Sequence, residues 1–337
     1  MSQIDRRALL AGLAAGPVLA ASGLAAAQDL PRLATGTPQA PVEIGFDPEP
    51  KGVLTDDVIE LWPEGRVPGS AGVSVTRKIL QRGSPERNDR AVMHVTRPIL
   101  EVFRPANPNG AAVILLPGGG YVRLAIDKEG AGGADRMTAA GATAFVLNYR
   151  LPGDGWAAGY DAPLQDVQRA VRIVRSRAAE FGLDPARIGV MGFSAGGHLA
   201  AASLTRFDDA VYDAIDATDQ TSARPDFACL GYAVMAIGAR PGDFRGPLPS
   251  AASQSLAERV RPGLAPTFIL HAADDRTVPV ANSLAMFQAL KAAEVPAELH
   301  IYEEGGHGFG FALPPETPAS HWPDAFVAWA RRRGIFG

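Results

Sequence analysis

Short apolar runs alternate with longer amphipathic segments along most of the chain. Runs without a charged residue predict strands buried on both faces of a sheet. They cover Ala111–Leu116, Ala142–Leu147, Ile188–Met191, Phe227–Val234 and Thr267–His271, and a final strand is predicted at Ala297–Tyr302. Helices are predicted after Ser194 and over 164–181, 281–293 and 323–333. This alternation predicts an α/β fold, with one mostly parallel central sheet and helices on both faces.

Two of these helices carry more specific expectations. In the helix over 164–181, apolar residues recur at spacings of three and four, and the arginines between them are expected to form a solvated face. These arginines are Arg169, Arg172, Arg175 and Arg177. In the helix over 281–293, we expect Leu284, Phe287 and Leu290 to face the core.

The amino-terminal residues precede the main domain. Arg6 and Arg7 stand before an uncharged Ala- and Leu-rich stretch that ends in Ala25-x-Ala27. This layout is typical of a cleavable signal peptide of the twin-arginine type over residues 1–27. We therefore expect recognition by an export machinery, a periplasmic or secreted protein, and no stable membrane anchor.

Domain boundaries follow from composition. Residues 28–66 are rich in Pro and Gly and predict an extended arm over the surface, followed by a single α/β-hydrolase domain over 67–337. An antiparallel pair over 73–80 and 90–95 and a strand over 100–104 are expected at the start of this domain. Residues 235–264 predict a modest insertion near the site.

Composition excludes some functions. The 337 residues are 47% hydrophobic and 20% charged, and the net charge of −4 offers no basic face for nucleic acid. The single cysteine, Cys229, excludes an internal disulfide.

The first candidate for chemistry is Gly192-x-Ser194-x-Gly196, between a predicted strand and a predicted helix. This is the context of a nucleophile elbow, in which a strained turn raises a serine above the sheet edge. The following helix would point its free N–H groups at an oxyanion, so Ala195 is a candidate donor.

A second glycine-rich loop follows the strand over 111–116. Pro117 leads into Gly118-Gly119-Gly120-Tyr121, where esterases carry a loop that donates further oxyanion N–H groups. Gly119, Gly120 and Tyr121 are therefore candidate oxyanion residues, although proline stands where such loops often have histidine.

An acid and a base follow in the order that this fold requires. Asp275 comes directly after the strand over 267–271, with Asp274 as the less favoured alternative. His307 lies between glycines after the strand over 297–302. We predict a Ser194–His307–Asp275 triad, in which Asp275 orients the imidazole. Of the other histidines, His271 is expected to brace the acid loop, His198 to pack, and His321 to lie at the surface.

Together, the stretches 115–121, 192–200, 271–279 and 305–310 resemble those of secreted bacterial α/β-hydrolase esterases of the acetyl-xylan-esterase type. The resemblance covers about residues 58–334. It implies removal of acetyl groups from plant-derived carbohydrate through an acyl-enzyme, with no metal and no cofactor. Tyr121 and Trp156 are candidate sugar-facing aromatics.

Three other functions stay open at this point. A general short-chain carboxylesterase would use the same residues. A peptidase of the prolyl-oligopeptidase type shares the elbow, but too few residues precede the first central strand for that family's propeller domain. A non-catalytic binding protein would typically lack a member of the triad.

Overall fold

The structure is a computed structural model that describes residues 36–45, 51–84, 87–236 and 255–337. The predicted signal peptide and most of the predicted insertion, 237–254, lie outside the described residues. Within the described ranges, no helix is long and apolar enough to cross a membrane.

The core is an eight-stranded sheet in the order β11-β10-β9-β8-β6-β7-β5-β2. All neighbouring pairs from β7 to β11 are parallel, and β5 runs antiparallel to both of its neighbours. The strands are β2 (Val58–Glu60), β5 (Ile99–Phe103), β6 (Ala112–Leu116), β7 (Thr143–Asn148), β8 (Ile188–Phe193), β9 (Ala228–Gly231), β10 (Thr267–Ala272) and β11 (Ala297–Tyr302). The predicted mostly parallel α/β sheet is confirmed.

Helices cover both faces of this sheet. Side chains alternate between the two faces along each strand, so the apolar strands leave both faces to be buried. In β6, Ile114 and Leu116 join the core on one face, whereas Val113 and Leu115 join the core on the other. The described α-helices are α1 (Gly132–Ala139), α2 (Ala162–Ser176), α3 (Ala195–Thr205), α4 (Ala281–Ala292) and α5 (Trp322–Arg332). Helices α2, α3 and α4 supply residues to the first core, and α1 and α5 to the second.

A small antiparallel sheet precedes the main one. It contains β1 (Val42–Ile44), β3 (Lys78–Gln81) and β4 (Arg90–Met93), in the order β1-β3-β4. The predicted antiparallel pair is therefore present, although its first strand begins later than expected.

The predicted arm over 28–66 is more integrated than the sequence suggested. Its residues Val58–Glu60 form the edge strand of the main sheet, and Leu61 and Trp62 behind them are buried. The indole of Trp62 donates to Asp166 on α2 at 2.8 Å, which ties the segment to the core. An extended path over the surface is thus wrong for these residues.

Helix α2 corrects part of an expectation, because Arg169, Arg172 and Arg175 are covered by other segments, whereas Arg177, just after the helix, lies at the surface and pairs with Glu180. Arg169 is buried and pairs with Asp216 and Asp219 at 2.5 and 2.9 Å. Arg172 donates to the hydroxyl of Tyr212 at 2.5 Å. The segment after α3 crosses this face of α2 and brings carboxylates to it, so Arg169 and Arg175 form charge-assisted hydrogen bonds there.

In helix α4, one residue differs from the predicted core-facing set. Leu290 is buried and Phe287 packs against the core, as expected, but Leu284 is exposed. Met286 takes the inward position that the sequence pattern assigned to Leu284.

Candidate active site

The turn after β8 places Ser194 above the edge of the sheet. Ser194 has φ +54° and ψ −116°, a strained conformation that a non-glycine residue adopts at a cost. A Cβ on Gly192 would lie 2.0 Å from the carbonyl oxygen of Gly196, and one on Gly196 would lie 2.0 Å from that of Leu116. Both glycines are therefore required for the backbone to pass this closely.

His307 approaches this serine from the loop after β11. Its Nε2 lies 2.9 Å from Ser194 Oγ, within hydrogen-bond distance. The flanking Gly306 and Gly308 have φ +64° and +74°, which glycine adopts at little cost. The side chain of His307 is 20% exposed, so a ligand could reach it from solvent.

Asp275 completes the chain of hydrogen bonds. Its Oδ2 lies 2.7 Å from His307 Nδ1, and its Oδ1 accepts from the backbone N–H groups of Thr277 and Val278. When Nδ1 donates to Asp275, Nε2 is left without a proton and can accept from Ser194. Asp274 is exposed and accepts instead from the backbone N–H of Gly306.

The environment of Asp275 favours its charged form. Burial by itself would raise the pKa of this carboxyl, but hydrogen bonds from His271, His307 and Val278 outweigh it and hold the pKa well below its usual range. His271 is buried and lies 3.3 Å from Asp275 and 2.9 Å from the carbonyl oxygen of Val278. It braces the acid loop, as predicted.

The candidate oxyanion residues lie against the elbow. A Cβ on Gly118 would lie 3.0 Å from the Cβ of Ser194, so the glycine loop passes directly beside the serine. Gly119, Gly120 and Tyr121 all have positive φ, and Ala195 is the first residue of α3. Among the described residues, no acceptor faces the backbone N–H of Gly119, Gly120 or Ala195. These groups are available to a ligand.

Two residues that sequence reasoning missed connect the glycine loop to the histidine loop. Glu129 is buried and accepts from the N–H of Gly118 at 2.6 Å and from the hydroxyl of Tyr232 at 2.8 Å. The same hydroxyl accepts from the N–H of Gly310 at 2.8 Å. Burial raises the pKa of Glu129, and nearby Lys128 and these hydrogen bonds offset part of that effect.

The sequence gives no signal for this connection. Glu129 lies in a π-helical turn, Ile126–Ala131, before the unpredicted helix α1, and Tyr232 lies just after β9. The ring of Tyr232 also packs edge-on against His307, with centroids 5.2 Å apart. The two residues thus fix the spacing of both loops around the serine.

The predicted sugar-facing aromatics are corrected. Tyr121 and Trp156 are each only 5% exposed, so neither offers an open ring face to a carbohydrate. The hydroxyl of Tyr121 lies 2.9 Å from Nδ1 of His198, and the ring of Trp156 packs against the guanidinium of Arg150. Burial lowers the pKa of His198 to about 3, so it is neutral and packs, as expected. His321 is exposed, also as expected.

The part of the chain that the structure describes contains no candidate metal site. No group of three or more His, Cys, Asp or Glu side chains there is arranged to hold an ion. The absence of a metal and a cofactor stays a prediction. The arrangement places the hydroxyl of Ser194 within hydrogen-bond distance of an imidazole and beside a loop whose backbone N–H groups lack an acceptor among the described residues.

Comparison with known proteins places this geometry among esterases. The BD-FAE family model matches residues 100–236, which include Ser194 and the glycine loop. An acetylxylan esterase of Xylanibacter ruminicola is 36% identical over 223 residues, which is 62% of this chain and 43% of that relative. The chain therefore spans less than half the length of this relative.

Solved structures give the same result over more of the chain. The acetyl ester-xyloside bifunctional hydrolase of Caldicellulosiruptor lactoaceticus superposes with a TM-score of 0.65 and 32% identity, covering 83% of this chain and 97% of that one. Esterase 2 of Thermogutta terrifontis, phosphorylated by paraoxon, superposes with a TM-score of 0.62 and 26% identity, covering 72% of this chain and 91% of that one.

Proposed function

The chain belongs to the α/β-hydrolase esterases of the acetyl-xylan-esterase type, and we propose that it removes acetyl groups from xylan-type carbohydrate. One observation carries the proposal: the unbroken chain from Ser194 Oγ through His307 to Asp275, with contacts of 2.9 and 2.7 Å. The acetyl-xylan substrate is suggested by the activities named for the relatives.

In the proposed mechanism, Ser194 Oγ attacks the ester carbonyl carbon while His307 Nε2 takes the hydroxyl proton. Asp275 stabilises the imidazolium that forms. The carbonyl oxygen becomes an oxyanion, which the N–H groups of Ala195 and of the Gly119–Tyr121 loop would bind.

Collapse of this intermediate breaks the bond to the sugar oxygen, which leaves as an alcohol with the proton from His307. An acetyl group is then attached to Ser194. Water attacks this acyl-enzyme, again with His307 as base, and releases acetate and free serine.

The test compares the purified protein with Ser194→Ala on three substrates: acetylated xylo-oligosaccharides, 4-nitrophenyl acetate and a dipeptide 4-nitroanilide. We expect acetate release from the oligosaccharides, and a loss of roughly a millionfold in kcat for Ser194→Ala. Circular dichroism of the variant checks that it is folded.

The other outcomes separate the alternatives. Hydrolysis of the nitrophenyl ester alone would leave a general short-chain carboxylesterase. Cleavage of the anilide would favour a peptidase, and activity that survives in Ser194→Ala would refute the serine mechanism. Periplasmic location or secretion is a proposal from the predicted signal alone, to be tested by fractionation with Arg6 and Arg7 replaced by Lys.

A further inference from the structure

A cluster of cationic side chains borders the proposed active site, although the whole protein carries a net charge of −4. It lines a cavity of about 300 Å³, to which Arg82, Arg87 and Lys128 contribute. Ala312 lines the same cavity and lies a few residues after His307. The cavity is thus built on the loop that holds the proposed base.

Lys128 connects the cavity to that loop most closely. Its Nζ lies 3.6 Å from the position that a Cβ on Gly308 would occupy, one residue after His307. The backbone carbonyl of Lys128 accepts from the N–H of Phe311 at 2.9 Å, which fixes the loop against this residue.

A fourth cation lies beside the other active-site loop. Cγ of Arg123 is 2.9 Å from the position of a Cβ on Gly119. Its Nε is buried, and no described residue accepts a hydrogen bond from it. The pKa of Arg123 is lowered, first by burial and then by the positive charge of Arg82, and the carboxylates of Asp89 and Glu129 offset part of this effect.

Few negative charges balance this cluster. Asp89 lines the cavity and pairs with Arg82 at 3.5 Å. Arg87 donates to the backbone carbonyl of Ala312. Glu129 is buried and hydrogen-bonded to Gly118 and Tyr232, and it interacts electrostatically with Lys128 and Arg123, so it balances one of their two charges. The cavity therefore keeps an excess of positive charge that an anionic group would relieve.

We propose that this cavity is an accessory subsite for a carboxylate carried by the substrate, so that the enzyme prefers acetyl esters of sugars that bear a uronic acid. The inference rests on the proposed function. A carboxylate can accept charge-assisted hydrogen bonds from the guanidinium groups and from the ammonium group of the cavity.

The test uses two acetylated xylo-oligosaccharides of the same length, one with a glucuronic acid substituent and one without. The readout is the ratio of their kcat/KM values for the wild type, Lys128→Met and Lys128→Glu. Lys291→Met, which removes an exposed lysine on α4, is the matched control. Each ratio is measured at about 0.02 M and about 0.3 M NaCl, because salt screens accessible charges.

We expect the wild type to prefer the acidic ester and to lose part of this preference at high salt. Lys128→Met should reduce the ratio by about tenfold, the effect of one charge-assisted hydrogen bond, and Lys128→Glu should reduce it further. Lys291→Met should keep the wild-type ratio.

A wild-type ratio near one with good hydrolysis of the neutral ester would overturn this inference and leave the proposed function intact. An equal loss on both esters in Lys128→Met would also overturn it, because a structural role of Lys128 predicts that result. Failure to hydrolyse either ester would refute the proposed function and this inference together.

Discussion

Asp166 on α2 and Asp275 after β10 are both buried carboxylates with a full set of hydrogen bonds, yet their surroundings differ in kind. Asp166 pairs with Arg150 inside the core, and both side chains are fully buried. It also accepts from the indole of Trp62 and from the backbone N–H of Arg150. Asp275 is held by two imidazoles and two backbone N–H groups.

Burial and pairing therefore do not distinguish a structural carboxylate from a functional one. A guanidinium group takes no part in proton exchange, so the pair of Arg150 and Asp166 holds the chain in place. An imidazole can take up and release a proton, and in the proposed mechanism the partly exposed His307 takes the proton of Ser194. What distinguishes Asp275 from Asp166 is therefore a partner that can exchange a proton and is accessible to solvent.

The largest expected effect is on catalysis at Asp275. Asp275→Asn should lower kcat on 4-nitrophenyl acetate by about 10,000-fold, because the amide favours the wrong tautomer of His307. Asp274→Asn, which alters only the contact with Gly306, should lower kcat by less than about tenfold. Steady-state kinetics of the two variants decide between the acids, and the reverse order would assign the role to Asp274.

The next effect is on stability at Asp166. Asp166→Ala leaves Arg150 charged and buried without its partner, so the free energy of unfolding should fall by about 3–5 kcal/mol. Asp57→Ala removes an exposed pair with Arg104 and should cost less than about 1 kcal/mol. Urea unfolding measures both.

The comparison also requires that Asp166→Ala keep its activity per folded molecule. If this variant lost turnover at a temperature where it is folded, Asp166 would contribute to catalysis, and it could not be separated from Asp275 as a purely structural carboxylate.

The smallest effect is the pH dependence of stability. The folded-state pKa of Asp275 is depressed, so its contribution is present above the unfolded-state value of about 4 and is lost as the pH falls through the lower folded value. The difference in unfolding free energy between wild type and Asp275→Asn should thus narrow as the pH falls below about 4. Acid unfolding curves test this, and a difference that widens toward low pH would contradict the assigned shift.

The sequence predicted the sheet and the grouping of Ser194, Asp275 and His307 because both depend on local patterns. Apolar runs such as Ala112–Leu116 have one way to be buried, and glycines around Ser194 and His307 mark turns that other residues cannot adopt. The loops at strand ends then bring the serine, acid and histidine together.

What the sequence could not predict depends on contacts between distant segments. In the sequence, Arg169 has the position of a solvent-exposed helix residue. In the structure, it pairs with Asp216 and Asp219 from a distant segment. Tyr121 and Trp156 are aromatic residues of the kind that stack on sugars, but both are buried in the structure. Glu129 and Tyr232 are 103 residues apart, and no local pattern connects them.

Covalent labelling with paraoxon, followed by mass spectrometry of the intact protein and its peptides, identifies the nucleophile. We expect one label per chain on the peptide that contains Ser194, much slower labelling of Asp275→Asn, and no label on Ser194→Ala. A label on another residue, or equal labelling of Ser194→Ala, would show that Ser194 is not the nucleophile.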